Sequence, residues 1–165
     1  PESLATFAVL VDNEPGVLHR LVGLFAARGY NIESLTVAET DRKAHTSRVT
    51  IVTRGTPQVL AQIEAQLEKM VSTRHVQDIS RDPNGLEREL ALVKVRGQGS
   101  DRVEALLVSD IFRARVIDTT HESFVFEVTG APSKIDSFIE LMRPLGLVEV
   151  SRTGVLSIQR GVEVF

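Results

Sequence analysis

Apolar residues alternate from Leu4 to Val11, with Phe7, Val9 and Val11 on one face and Ala8 and Leu10 on the other. That pattern suits a strand covered on both sides. It stops at Asp12-Asn13-Glu14-Pro15-Gly16, and from Val17 the spacing lengthens to Leu18, Leu21, Val22 and Phe25, the period of a helix that Gly29 ends. Ile32 to Thr40 alternates again as a strand, Asp41 to His45 reads as a polar turn, and a third strand follows from Ser47 to Thr53. Leu60, Ile63, Leu67 and Met70 mark a second helix, and His75 to Ile79 a fourth strand. The order is βαββαβ, closed by Arg81-Asp82-Pro83-Asn84-Gly85, a run dense in turn formers.

The second half repeats this order. It predicts a strand over Glu89 to Val95, a Gly97-Gln98-Gly99-Ser100-Asp101 turn, and a helix whose apolar face carries Val103, Leu107 and Ile111. Strands follow at Arg115 to Asp118 and Ser123 to Thr129. A helix from Pro132-Ser133 places Ile135, Phe138, Ile139 and Met142 together, and a strand runs from Leu147 to Ser151. The expected fold is α+β, two tandem ferredoxin-like βαββαβ domains over residues 1–80 and 87–165, joined by a linker at 81–86. Val155 to Ile158 reads as an extra strand with no assigned place.

Composition narrows the uses of this scaffold. With 165 residues, 42% hydrophobic and 25% charged, the chain has the makings of two packed cores and none of the marks of disorder. The absence of cysteine removes thiolate metal carriage and a Cys nucleophile, and leaves a reducing cytoplasm as the expected location. No apolar run approaches the ~20 residues of a membrane span. The net charge of −3 is interspersed rather than gathered into a basic face, and the strands Val49-Thr50-Ile51-Val52 and Val93-Lys94-Val95 lack the stacking aromatics of an RNA-binding sheet, so nucleic acid is not an expected partner.

Catalytic constellations are equally scarce. His19, His45, His75 and His121 are scattered, no Gly-x-Ser-x-Gly elbow occurs, and Gly97-Gln98-Gly99 lacks the third glycine of a dinucleotide fingerprint. Glu87 and Glu89 form a carboxylate pair of the kind usually just solvated at the start of a strand.

Asp12-Asn13-Glu14-Pro15-Gly16-Val17-Leu18 is the informative segment. It leads a strand into a helix N-terminus, where free backbone N–H groups and the helix dipole favour an anion, and Gly16 lets a ligand approach without a Cβ in the way. Asn13 either caps the helix or accepts from an ammonium group, which with a carboxylate at the N–H groups describes a free amino acid. The second strand of a βαββαβ sheet lies at an edge, and Ser34-Leu35-Thr36-Val37-Ala38 carries neither charge nor proline. An edge so open is expected to pair with the same strand of another copy, bringing Asn31 close to the other copy's 13–18 loop.

Asn13-Glu14-Pro15-Gly16-Val17-Leu18 and Arg28-Gly29-Tyr30-Asn31-Ile32-Glu33-Ser34-Leu35-Thr36-Val37 closely resemble the ACT domain of the regulatory subunits of acetohydroxyacid (acetolactate) synthase. The resemblance continues through Ser47-Arg48-Val49-Thr50-Ile51, Glu87-Arg88-Glu89-Leu90, Ile111-Phe112-Arg113 and Ser151-Arg152-Thr153-Gly154, and so spans nearly the whole chain. It implies a subunit with no catalytic site of its own, whose large partner subunit holds thiamine diphosphate, Mg²⁺ and FAD and condenses pyruvate to acetolactate. The regulatory chain would activate that partner and confer feedback inhibition by a branched-chain amino acid, valine above all. Residues 1–80 would be the ACT domain for effector binding and homodimerisation, and 87–165 the C-terminal domain. The effector contacts implied are Asn13, Gly16, Val17 and Leu18, with Asn31 and Ile32 from the adjacent subunit; no metal site is implied on this chain. The hairpin around Arg42, Lys43 and Arg48 is a candidate surface for the large subunit. A stand-alone amino-acid sensor with a different partner is the alternative, and a small independent enzyme a more distant one.

Overall fold

The computed structural model describes residues 1–41 and 43–165, which fall into two units: Pro1–Leu86 with Val155–Phe165, and Glu87–Gly154. Arg42, one of the three charges on the candidate hairpin surface, lies outside the described residues.

In the first unit, β1 (Ser3–Asp12), α1 (Val17–Ala27), β2 (Asn31–Asp41), β3 (Thr46–Gly55), α2 (Pro57–Lys69) and β4 (Thr73–Asp78) form an antiparallel sheet of order β2-β3-β1-β4. Strand alternation sends Phe7, Val9, Val11, Val49 and Ile51 to one face. There they meet Val17, Leu21 and Phe25 of α1 and Leu60, Ile63 and Leu67 of α2. Burial of one such phenylalanine or leucine contributes about 1.5–3 kcal/mol. α2 begins on Thr56, whose hydroxyl accepts from the Val59 N–H at 3.2 Å, followed by Pro57, which cannot donate and loses nothing at this position.

The opposite face of this sheet is also covered, which explains why Thr6, Ala8, Thr50 and Val52 are buried on it. The cover is the C-terminal segment. Val155 donates its N–H to Ser34 Oγ (3.0 Å) and accepts from Thr36 Oγ1 (2.9 Å), so two hydroxyls on alternate positions of β2 grip one residue of the tail. Arg48 donates to the Ser157 carbonyl at 2.7 Å and stacks over the Phe165 ring, whose other neighbour is His75. The strand β9 (Leu156–Gln159) pairs with β5, whose first residues belong to the same unit.

Two expectations change here. Residues 155–165 belong with the first unit rather than the second, because apolar and hydroxyl side chains on β1, β2 and β3 would otherwise face water. The stretch 81–86 is packed rather than a free linker: Ile79–Arg81 forms a short 3-10 turn with Ile79 buried, and the Asp82 carboxylate accepts from Gln77, Gln159 and the Asn84 N–H. Those three hydrogen bonds, with Gln159 the strongest influence, hold the Asp82 carboxyl below its ordinary range.

The second unit repeats the plan with β5 (Gly85–Arg96), α3 (Ser100–Ile111), β6 (Arg115–Thr119), β7 (Ser123–Gly130), α4 (Pro132–Met142) and β8 (Leu147–Arg152), in the order β6-β7-β5-β8. Ala91, Val93 and Val95 pack with Phe124, Phe126 and Val128 beneath Ile135, Phe138, Ile139 and Met142 of α4. α3 departs from its sequence pattern: Val103, Leu107 and Ile111 are exposed, and its buried face carries Ala105 and Ser109. The small side chains face the core, while the larger apolar ones turn outward. Glu89 also differs from expectation. It is 5% exposed, and Arg152 grips it with two nitrogens at 2.8 and 2.7 Å while a third donates to Asp136. The hydrogen bonds to Glu89 raise the Arg152 guanidinium pKa still further, so this carboxylate is a structural anchor rather than half of an acid–base pair.

Candidate functional site

The loop from β1 into α1 is pinned from below before it reaches the helix. The Asp12 N–H donates to the Ser72 carbonyl at 2.8 Å and the Asn13 N–H to the His45 carbonyl at 2.7 Å. Pro15 cannot donate, and Gly16 takes a left-handed conformation (φ 84°, ψ −1°) that L side chains adopt at a cost. A Cβ there would meet nothing within 4 Å. Gly16 therefore presents bare backbone to open space.

Gly16, rather than Asn13, occupies the cap position of α1, and no side chain accepts from the first turn. The Val17 N–H reaches the Glu14 carbonyl at 3.2 Å, and Arg20 makes the first helical bond, to the Gly16 carbonyl at 3.0 Å. Between them the amides of Leu18 and His19 find no partner among the described residues. Those two donors, at the positive end of α1, are the anion-seeking groups of the site. Glu14 does not fill that role, since its carboxylate accepts from Ser72 Oγ at 3.0 Å and pairs with Arg20. The pair is half exposed and adds little stability, and it offsets the Glu14 charge with that of Arg20.

Beside these amides lies a pocket of about 380 Å³, a volume suited to a small ligand. Asn13, Gly16, Val17 and Leu18 line it, as do Glu14 and His19. Its apolar wall comes from Val11 of β1, Leu21 of α1, Val37 of β2 and Val49 of β3, with Ser47 beside Val11. Val37 stands opposite Val49 in the β2–β3 ladder. These wall residues lie far apart in sequence and are brought together by the sheet, so the local pattern of the 12–18 segment did not reveal them. Strand alternation did place Val11 and Val49 on the helix-facing side.

Asn31 and Ile32 do not line this pocket. Asn31 begins β2 at the far end, paired with Arg54, and its side chain donates to Glu33 while its carbonyl accepts from Thr53. The pocket sits toward the opposite end, where β2 meets the start of β3. β2 is the edge strand, and it is not fully unguarded: register shifts fall between Ile32 and Ser34 and between Glu39 and Asp41. Between those irregularities the ladder from Ser34 to Glu39 is regular. On the hairpin surface, Arg48 is turned into the C-terminal segment, and burial lowers its pKa, so it is not an uncommitted surface cation.

Among the described residues, no group of three or more His, Asp or Glu is arranged to hold a metal ion, and no helix is long and apolar enough to cross a membrane.

Comparison with known proteins gives this geometry a context. Residues 7–75 match the family described as the AHAS small subunit-like ACT domain, and residues 88–161 the family described as the small subunit of acetolactate synthase. A probable acetolactate synthase small subunit from Archaeoglobus fulgidus is 46% identical over 94% of this chain and 96% of its own length. The acetolactate synthase isozyme 3 small subunit of Escherichia coli is 42% identical over 95% and 96%. The crystal structure of the acetolactate synthase small subunit from Thermotoga maritima superimposes with a TM-score of 0.83 at 38% identity, covering 98% of this chain and 99% of that one. An ACT domain in the first unit, a second ferredoxin-like unit, and relatives that match over nearly their full length establish that the chain belongs to the acetolactate synthase small-subunit family.

Proposed function

We propose that this chain is a non-catalytic regulatory subunit: it activates the large catalytic subunit of acetolactate synthase and makes it subject to inhibition by a branched-chain amino acid, with valine the leading candidate. The carrying observation is the pair of unpartnered amides, Leu18 and His19, at the mouth of a pocket walled by Val11, Leu21, Val37 and Val49. A free α-carboxylate satisfies the amides, Asn13 offers a carbonyl to the ammonium group, and a branched aliphatic side chain fits the wall.

The reading includes a homodimer formed through β2. A twofold axis at Thr36, midway along Asn31–Asp41, would set Asn31 of one copy opposite Asp41 of the other, at the end of the sheet where β1 runs out into the β1–α1 loop, because Asp41 and Asp12 both align with Thr46. Asn31 and Ile32 would then complete a pocket that is open in the single chain. An effector bound across such an interface favours one arrangement of the two ACT domains, and couplings of this kind are worth about 1–3 kcal/mol.

Thiamine diphosphate, Mg²⁺ and FAD belong to the large subunit in this reading, and a cytoplasmic location accompanies that partner. The test is reconstitution. Acetolactate formation from pyruvate by the large subunit, with its three cofactors, should rise when this chain is added and fall when valine is titrated in. Leucine and isoleucine are titrated in parallel, since one methylene changes affinity by only about 1–3 kcal/mol. Valine that binds this chain without activation or inhibition of the large subunit would instead indicate an amino-acid sensor with another partner.

A further inference from the structure

One side chain in the pocket departs from the pattern of its strand. Alternate residues of β3 face α1, and Ile51 and Val49 supply aliphatic side chains there, but the next such position toward the β1–α1 loop is Ser47, opposite Val11. Ser47 is 5% exposed, at a place where strand alternation calls for another aliphatic residue. Its hydroxyl has no hydrogen-bond partner among the described residues, and unlike Arg48 Nε and Ser157 Oγ it is not sealed off from solvent. It opens into the pocket that Ser47 lines. A hydroxyl held this way costs free energy when an aliphatic group drives water from it, and offers a hydrogen bond to a ligand with a polar group at the same place.

The strand indicates which part of a ligand that is. Just before β3 the His45 carbonyl holds the Asn13 N–H, Ser47 follows two residues on, and Val49 stands about 7 Å further along the strand. Ser47 thus lies between the loop that carries the free Leu18 and His19 amides and the Val37–Val49 wall. An amino acid held by its carboxylate at the amides and by its branched end at the wall brings its β carbon to Ser47. Asn13 serves the ammonium group from the loop side, which leaves the Ser47 hydroxyl for a substituent on that carbon.

We propose that Ser47 is a specificity-determining residue that reads a β-hydroxyl, so that the pocket accepts threonine, the isostere of valine in which one methyl is replaced by a hydroxyl. This rests on the effector reading of the pocket and extends its ligands from purely aliphatic amino acids to a hydroxylated one. A neutral hydrogen bond favours the hydroxyl by roughly three- to tenfold over hydrogen, whereas the second methyl of valine is worth about 10- to 200-fold. Valine therefore remains the tighter ligand and threonine becomes the second.

Calorimetric titration of the full-length protein with L-valine, L-threonine and L-2-aminobutyrate tests this, because the three differ in a single β substituent: methyl, hydroxyl or hydrogen. Threonine should bind about three- to tenfold more tightly than 2-aminobutyrate. Ser47→Ala should abolish that advantage and leave valine binding unchanged or tighter, since no hydroxyl is then desolvated by the valine methyl. Threonine that binds no more tightly than 2-aminobutyrate to the unaltered protein overturns the proposal, and this comparison stands whether or not the variant folds. A parallel loss of all three ligands in a Ser47→Ala variant of unchanged circular dichroism also overturns it, being the result expected of a hydroxyl that serves the ammonium group. In both cases valine still binds the unaltered protein and the effector reading survives. Valine that fails to bind the unaltered protein overturns the effector reading, and this proposal with it.

Discussion

Gly16→Asp, compared with Gly16→Asn, isolates the electrostatic part of the proposed effector site. Both substitutions place a side chain of the same size at a backbone with φ 84°, where a Cβ points into open space. Asn and Asp tolerate this left-handed conformation better than other residues, so each should cost stability about equally, roughly 1 kcal/mol. They differ by one negative charge. A carboxylate bound to the Leu18 and His19 amides would lie about 5 Å from that charge, and Coulomb repulsion at that distance is about 1–3 kcal/mol for effective dielectrics between ~80 and ~20. The concentration of valine giving half-maximal inhibition of the reconstituted enzyme should therefore rise roughly 5- to 150-fold more in Gly16→Asp than in Gly16→Asn. Activation of the large subunit without valine should be the same in both. An equal shift in the two variants would show that no carboxylate binds at the start of α1, and the reading of the free amides would have to be abandoned.

Two further predictions concern the scaffold. Arg152→Ala leaves the buried Glu89 carboxylate without its bidentate partner; allowing for the one-third exposure of the arginine side chain, the second unit should lose about 2–4 kcal/mol, whereas Glu89→Leu with Arg152→Met should recover most of the loss. Calorimetry of the full chain reads both, and a single substitution as mild as Arg143→Ala on the exposed Arg143–Glu140 pair would refute the assignment of Glu89 as an anchor. The second concerns Asp82, whose folded pKa is depressed by Gln159, Asn84 and Gln77. Its hold on the C-terminal segment should be complete above the ordinary carboxylate pKa near ~3.9 and be lost as pH falls through its lower folded value. Hydrogen exchange of amides 156–160 should accelerate in that acid range, and Asp82→Asn should accelerate it already at neutral pH; unchanged protection in the variant would mean that the tail is held without this carboxylate.

The βαββαβ order was legible twice over in the chain, because each helix or strand has an apolar period that local sequence alone imposes. The start of α4 at Pro132 and its buried set Ile135, Phe138, Ile139 and Met142 follow directly from spacing. α3 was legible as a helix but not in its orientation. Val103, Leu107 and Ile111 form a more apolar stripe than Ala105 and Ser109, yet the core takes the smaller face, and only the packing of the folded unit decides between them.

The site divides in the same way. The sequence by itself determined the Gly16 turn, the helix start and the segment 13–18, since Asn, Pro and Gly constrain the backbone wherever they stand. Tertiary structure decided that Asn13 leaves the cap position to Gly16, that Leu18 and His19 keep free amides, and that Val37 and Val49 supply the wall. It also decided the place of Val155 to Phe165, which no local pattern assigns. The hydroxyls of Ser34 and Thr36 and the guanidinium of Arg48, more than a hundred positions away in sequence, hold that segment. Periodicity is a property of neighbours along the chain and survives in the sequence. A pocket wall or a covered sheet face is a property of strand register, and exists only once the sheet has formed.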